Sequence, residues 1–289
     1  MSGLTTIEAG LVEGLESQSI LERTIEWANI NSGTGNLEGL SRMADVLGQA
    51  FAALPGEVRL VDADPVELVR ADGAVREVRH GQHLLVRVRP DAPRRVILTG
   101  HMDTVYGADD AFQSCDWIDE RTLHGPGTAD MKGGIALMLA GLQAFESGAP
   151  ELGYDVLINS DEETGSYHSE AALRAAARDA DVGLVLEPAL PDGSLVVERP
   201  GSGQFVFECA GRAAHVGRDF ASGRSAVLAL ARCISATERL SDPGAARIVN
   251  VGPIEGGHAT NVVPDSARAW GNARFGTPEI AAAIERELR

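Results

Sequence analysis

The chain has 289 residues, long enough for one large domain or two ordinary ones. Hydrophobic residues make up 44% and charged residues 23%, a globular balance that excludes general disorder. With 42 acidic against 25 basic residues the net charge is −17, which repels phosphate backbones and excludes a nucleic-acid groove. The basic residues comprise 24 arginines and a single lysine, Lys132, a bias so broad that it reads as codon composition. No apolar run approaches the ~20 residues of a membrane span. Residues 1–10 lack a basic stretch followed by an apolar one, so no secretory leader is expected. Three widely spaced cysteines, Cys115, Cys209 and Cys233, form no disulfide framework, and the expected location is cytoplasmic.

In chain order, helical spacing covers Thr5 to Ile30 and Leu37 to Leu54, separated by the turn formers Asn31-Ser-Gly-Thr-Gly. Short apolar runs follow from Val58. The clearest strands are Leu84–Val88 and Arg95–Gly100, and Val96-Ile97-Leu98 has the β-branched continuity of a strand buried on both faces. Met131–Phe145 reads as a helix, Tyr154–Ser160 as a strand, Ser169–Arg178 as a helix and Asp181–Leu186 as a strand. This alternation predicts βαβ units in a mainly parallel sheet flanked by helices, the α/β class. After Pro188 the rhythm changes. Strands at Leu195–Glu198 and Gln204–Ala210, a helix at Gly223–Leu240, strands at Ile248–Gly252 and Ala267–Arg274 and a closing helix from Pro278 suggest a smaller α+β layer. The expected domains are 1–195 and 196–289, the second lacking its last strand.

Polar residues cluster where the parallel strands end. His101-Met-Asp103 follows one strand, Asp161-Glu162-Glu163 the next, and Glu187 closes a third; Asp130 opens a helix after Gly125-Pro-Gly-Thr-Ala. In open α/β sheets the ligand crevice lies outside the carboxyl ends of the strands, so these groups should gather on one edge. One imidazole among four carboxylates is costly without a positive partner. Only Arg121 lies nearby, so a divalent metal is the better answer. Zinc suits the donors best, with cobalt or manganese less specific. Asp103 could fix the tautomer of His101 from behind. A carboxylate such as Asp130 could bridge two metals. Of Glu162 and Glu163, one could bind metal while the other takes a proton from an activated water, which is hydrolase chemistry aimed at an amide or ester.

Four ordered motifs, Gly100-His-Met-Asp-Thr-Val, Gly125-Pro-Gly-Thr-Ala-Asp-Met-Lys-Gly-Gly, Asp161-Glu-Glu-Thr-Gly-Ser and Glu187-Pro188, closely resemble the co-catalytic zinc aminoacylase and carboxypeptidase family. That family includes glutamate carboxypeptidase, acetylornithine deacetylase and succinyl-diaminopimelate desuccinylase, and Tyr106 leans toward the glutamate carboxypeptidase branch. The resemblance implies a zinc-peptidase catalytic domain with a ferredoxin-like lid and dimerisation domain. It implies two Zn2+ per subunit, with His101 and Glu187 on one, Glu163 on the other and Asp130 bridging. Glu162 would be the general base that generates a bridging hydroxide, with Asp103 supporting His101. The peptide bond after Asp130 would be cis. His215, in Gly211-Arg-Ala-Ala-His, would reach the partner subunit's site and stabilise the oxyanion, and Asn261 and Arg274 would hold a substrate carboxylate. The implied partners are a small peptide or N-acyl amino acid and a second copy of the chain, with neither nucleic acid nor membrane.

The sequence departs from the family in one serious respect. The second zinc needs a histidine from a segment after the lid, and the chain stops at Arg289, so the expectation is a truncated piece of a longer protein. The alternative is a non-catalytic homologue that keeps the fold and at most one metal. Asn272-Ala-Arg274 replaces the usual Asp-x-Arg without touching the metals. Of the remaining candidates, His80 and His83 read as a surface turn, Cys115 as packing, and His258 as a turn residue.

Overall fold

The structure, a computed structural model, describes residues 4–69 and 74–289. The first three residues of the stretch read for a leader lie outside them. The chain divides into two compact units, Met1–Ala189 and Leu190–Arg289.

In the first unit the long helical stretch of the sequence breaks at Gly14-Leu-Glu into α1 (Thr6–Glu13) and α2 (Ser17–Ala28). Next comes α3 (Leu37–Phe51), which starts where the Asn36 side chain accepts the Gly39 amide at 3.0 Å. Its apolar stripe of Leu40, Met43, Ala44, Leu47 and Phe51 recurs every three or four residues and is wholly buried. Truncating Leu47 to Ala would leave a cavity costing about 2–5 kcal/mol.

The strands follow as β1 (Glu57–Val61), the hairpin β2 (Val66–Val69) and β3 (Val75–Val78), β4 (His83–Val88) and β5 (Arg95–His101). A second hairpin, β6 (Asp116–Asp119) and β7 (Thr122–His124), precedes α4 (Lys132–Ser147), β8 (Gly153–Asn159), α5 (Glu170–Arg178) and β9 (Val182–Val185). The main sheet runs β1-β4-β8-β5-β9. Parallel pairing holds for β8, β5 and β9, as the βαβ rhythm requires, but β1 and β4 are antiparallel, so the sheet is mixed rather than mainly parallel. The reason is connectivity, because β1 reaches β4 through a small hairpin and not through a crossover helix. All seven residues of β8 are buried, as befits the central strand.

The second unit contains β10 (Gly201–Ala210), α6 (Ala226–Thr237), β11 (Arg247–Gly256), β12 (Ser266–Phe275) and α7 (Pro278–Leu288). Its sheet order is β10-β12-β11, antiparallel throughout. Alternate residues Ala267, Ala269 and Ala273 of β12 are buried under both helices. This is a two-layer α+β unit with one helical face. The strand expected at Leu195–Glu198 does not form; Val197 is 97% exposed and Pro200 separates the run from β10. β-branched residues without a ladder partner do not make a strand.

Candidate metal centre

Parallel pairing fixes where the chemistry falls. His101 ends β5 opposite Asn159 of β8, and Thr99 stands opposite Val185 of β9. Two residues beyond Thr99 and Val185 respectively, His101 and Glu187 therefore reach the same level, one strand spacing apart. Gly134 on α4 lets the Leu186 carbonyl pass where any Cβ would sit 2.0 Å from it, which seats the Glu187 segment against the helix. Asp130 enters from the loop before α4, and the Asp130–Met131 peptide is cis.

One oxygen or nitrogen each of His101, Asp130 and Glu187 lie within 4.8 Å of one another, the only such group among the described residues. His101 is 1% exposed. Its Nδ1 lies 3.0 Å from the main-chain carbonyl oxygen of Asp103, while Nε2 lies 2.9 Å from Asp130 Oδ1 and 3.4 Å from Glu187 Oε1. Every one of these partners can only accept. A neutral imidazole supplies one N–H, and the Asp103 carbonyl takes it, leaving Nε2 facing two carboxylates. Burial disfavours a second proton, yet hydrogen bonds and charges from Asp103 and Glu187 override it and push His101 up to about 11. A cation at Nε2 meets the same demand, and an imidazole with two carboxylates is a donor set that suits zinc.

The Asp103 carboxylate does more than the sequence suggested. Its Oδ1 stands 3.4 Å from His101 Nδ1, and the main-chain carbonyl at 3.0 Å is the closer acceptor. The carboxylate itself, fully buried, accepts the amides of Glu162 at 3.1 Å and Glu163 at 3.2 Å and the Thr34 hydroxyl at 2.8 Å. It thereby ties the short 3-10 turn Glu162–Thr164 to the end of β5. A backbone acceptor has no side-chain signature, which is why sequence could not assign it.

Glu163 is not in the converging group, although its carboxyl feels it. Burial and then the negative charge of Asp130 raise it to about 7. Glu162 is raised as well, chiefly by burial. Both shifts describe a pole with more negative charge than the protein itself neutralises.

Two residues that sequence reading missed complete the rear of the centre. Ser32 donates to the Met102 carbonyl at 2.7 Å, and Thr34 donates to Asp103. Their only signal was a turn-forming run, which carries no functional spacing. His83 is a correction of a different kind. Instead of lying in a surface turn it is 1% exposed, because β4 is sandwiched between β1 and β8. Its Nε2 meets the His168 carbonyl at 3.3 Å, behind Ser160. The Cys115 thiol is raised by burial and stays protonated, which suits packing.

In the second unit His215 is exposed and its Nδ1 accepts the Gly217 amide at 3.1 Å. Its loop lies against that of Asn261, since Val216 donates to the Asn261 carbonyl at 2.9 Å and His215 bridges Val262. Arg274 is not with them. It sits near the far end of β12, eight residues beyond Ser266, which is roughly 26 Å along a strand. Asn261 lies in the loop that precedes β12. The Arg274 Nε donates to Asn272 at 3.1 Å.

The first unit thus sets strand-end carboxylates around a buried imidazole, a donor set fit for a metal, and the second folds as an α+β unit of its own. The chain belongs to the peptidase family M20/M25/M40, whose model matches residues 97–285. It is 26% identical over 267 residues to carboxypeptidase G2 of Pseudomonas sp. (strain RS-16), covering 91% of this chain and 61% of that one. It is 32% identical over 230 residues to the succinyl-diaminopimelate desuccinylase of Methylobacterium nodulans, covering 72% of this chain and 57% of the relative. The chain thus spans less than two thirds of the length of these relatives. Among solved structures, a tripeptidase from Staphylococcus aureus superposes with a TM-score of 0.68 at 24% identity, covering 95% of this chain and 70% of the other. An M20 family metallo-carboxypeptidase from Sulfolobus solfataricus gives 0.67 at 15%, covering 93% and 75%. These two likenesses concern the fold alone. Among the described residues, no helix is long and apolar enough to cross a membrane.

Proposed function

We propose that the chain carries the metal-binding and lid portions of a zinc-dependent hydrolase acting on the amide bond of a small peptide or N-acyl amino acid with a free carboxylate. The observation that carries this reading is the imidazole of His101, whose Nδ1 is claimed by a carbonyl and whose Nε2 faces two carboxylates. His101, Asp130 and Glu187 would hold one zinc, and Asp130 and Glu163 would hold a second. Bound there, zinc would polarise the scissile carbonyl and lower the pKa of the attacking water. Glu162 would take the proton of that water and deliver it to the leaving amine. Its carboxyl, raised mainly by burial, is the better proton donor for the second step.

We assign His215 to the oxyanion and Asn261 to substrate, working as neighbours from a partner's lid, with Arg274 contacting substrate from the other chain of a homodimer. The place of Asn261 in the loop before β12 and of Arg274 near the end of that strand supports this division. A strictly monomeric active protein, measured by light scattering, would remove it. Three free cysteines support a cytoplasmic location, which fractionation checks.

A second reading, a non-catalytic module with one metal, is favoured by the fact that only three donor residues converge. Zinc titration and hydrolysis of an N-acyl amino acid panel separate the two. The hydrolase reading expects tight zinc lost in His101→Ala, and turnover falling about 10²–10⁴-fold in Glu162→Ala with zinc retained. A chain that binds no zinc would sink both readings. One equivalent without turnover selects the second.

A further inference from the structure

The turn-forming run between α2 and α3 does more than connect helices. Ile30 to Thr34 lies as an extended strap along Met102–Tyr106. Gly33 bridges Thr104 in parallel, Thr104 donates to the Ser32 carbonyl at 3.1 Å, and Thr34 donates back to the Thr104 carbonyl at 3.1 Å. The approach is close enough to require glycine, since a Cβ at Gly33 would stand 2.1 Å from the Tyr106 carbonyl oxygen. Both ends of the strap are pinned. At its start, Lys132 Nζ donates to the Ile30 carbonyl at 2.8 Å. Asn31 Nδ2 spans to the Tyr106 and Gly107 carbonyls at 3.2 and 3.1 Å.

Lys132 is the one lysine in a chain with 24 arginines, and it is 1% exposed. Everywhere else the sequence uses arginine; here a lysine with a narrow stem and a compact head is enclosed.

At the other end of the strap the Thr34 hydroxyl has two acceptors in reach, Asp103 Oδ2 at 2.8 Å and the Thr104 carbonyl at 3.4 Å, and the shorter contact to a charged group wins. Asp103 Oδ2 is also the atom that holds the Glu163 amide, while Oδ1 holds that of Glu162. The carboxylate's rotation therefore decides the attitude of the turn carrying both glutamates. Two amides alone approach it from the same turn and would move with it. Thr34 is the donor that comes from outside that turn and fixes the carboxylate against the body of the fold.

We infer that Thr34 is a positioning residue of the metal centre, acting through Asp103 on the Glu162–Glu163 turn. The inference rests on the metal-centre reading above, and its test has an arm that does not. Thr34→Val keeps the shape and removes the hydroxyl, whereas Thr34→Ser keeps the hydroxyl. In the metal-free chain, T34V speeds amide hydrogen exchange at Glu162 and Glu163 while leaving the strands of the second unit unchanged, and T34S behaves as wild type. Zinc affinity, measured by competition with a chromophoric chelator, falls about tenfold in T34V and is restored in T34S. A T34V chain whose melting temperature falls while exchange at the turn and zinc affinity match wild type would show a merely structural residue and overturn the inference. If wild type binds no zinc but exchange at the turn responds to T34V, the metal reading fails and the strap inference stands.

Discussion

The rear and the front of the centre are built on opposite principles. At the rear, His101 and Asp103 are buried, and the Asp103 carboxylate accepts donors from two chain segments. At the front, the Asp130 side chain is 58% exposed and that of Glu187 30%. Asp130 acts on the nearby Glu163, and among the described residues the His101 imidazole faces Asp130 and Glu187 with no lysine or arginine paired to either. The rear is held by hydrogen bonds that exist in the chain alone. The front is an excess of like charge awaiting a cation, so its order is conditional on one. A site organised this way keeps its imidazole pre-aimed while its carboxylates stay free to close on what they bind.

Substitutions should therefore change stability in opposite directions at the two poles. The largest effect is expected at Asp103→Ala. It strands the Glu162 and Glu163 amides and leaves the Thr34 hydroxyl its longer contact to the Thr104 carbonyl, and each unsatisfied donor costs up to about 1–3 kcal/mol. Urea denaturation of the metal-free chain should report a loss of several kcal/mol, or no folding of the first unit, and zinc binding should disappear. Glu187→Gln is expected to weaken zinc about 100-fold, on the scale of a lost ligand. The same change relieves repulsion and should leave the metal-free chain as stable or about 0.5 kcal/mol more so. A destabilised metal-free E187Q would mean that the front is held by the protein itself, and the contrast between the poles would fall.

How legible this contrast was in the sequence depends on the kind of atom involved. The strand-end positions of His101 and Glu187 follow from β/α alternation, because parallel strands must end on one edge, and motif order adds Asp130 ahead of α4. The two-layer second unit follows from its β-α-β-β-α order. The antiparallel β1 and β4 did not follow, since pairing partners are long-range and a short apolar run reads alike in either orientation. The tautomer lock on His101 did not, because its acceptor is a backbone carbonyl. Nor did the strap, since Ser32 and Thr34 act through a close approach of two main chains.

Lys132→Arg tests whether the rear is limited by space rather than charge. The guanidinium keeps the cation but over-fills a site in which Lys132 is wholly enclosed, so a loss of about 1–3 kcal/mol is expected. The strap should loosen with it, seen as faster exchange of the Thr34 amide. An unchanged midpoint in urea would show that the pocket has room, and that the surviving lysine is an accident of composition.

The smallest effect is expected at a carboxylate that already has its cation, which serves as a control for the front. Glu146 accepts Arg89 Nη1 at 3.0 Å, and its side chain is 15% exposed. Its pKa is lowered, first by the hydrogen bond from Arg89. Glu163, without such a partner, moves the other way, which is the contrast between paired and unpaired carboxylates within one fold. A lowered folded-state value means that the charged form is favoured in the native state. The pair therefore contributes fully above the ordinary glutamate value near 4.5, and the contribution is lost as pH falls through the lower folded value. Glu146→Gln should cost about 1 kcal/mol at neutral pH and nothing at the acid end, flattening the acid limb of the stability curve. If the deficit of E146Q instead persists undiminished at low pH, the pair is packing rather than charge, and Glu146 no longer illustrates what a counter-ion does for a carboxylate in this unit.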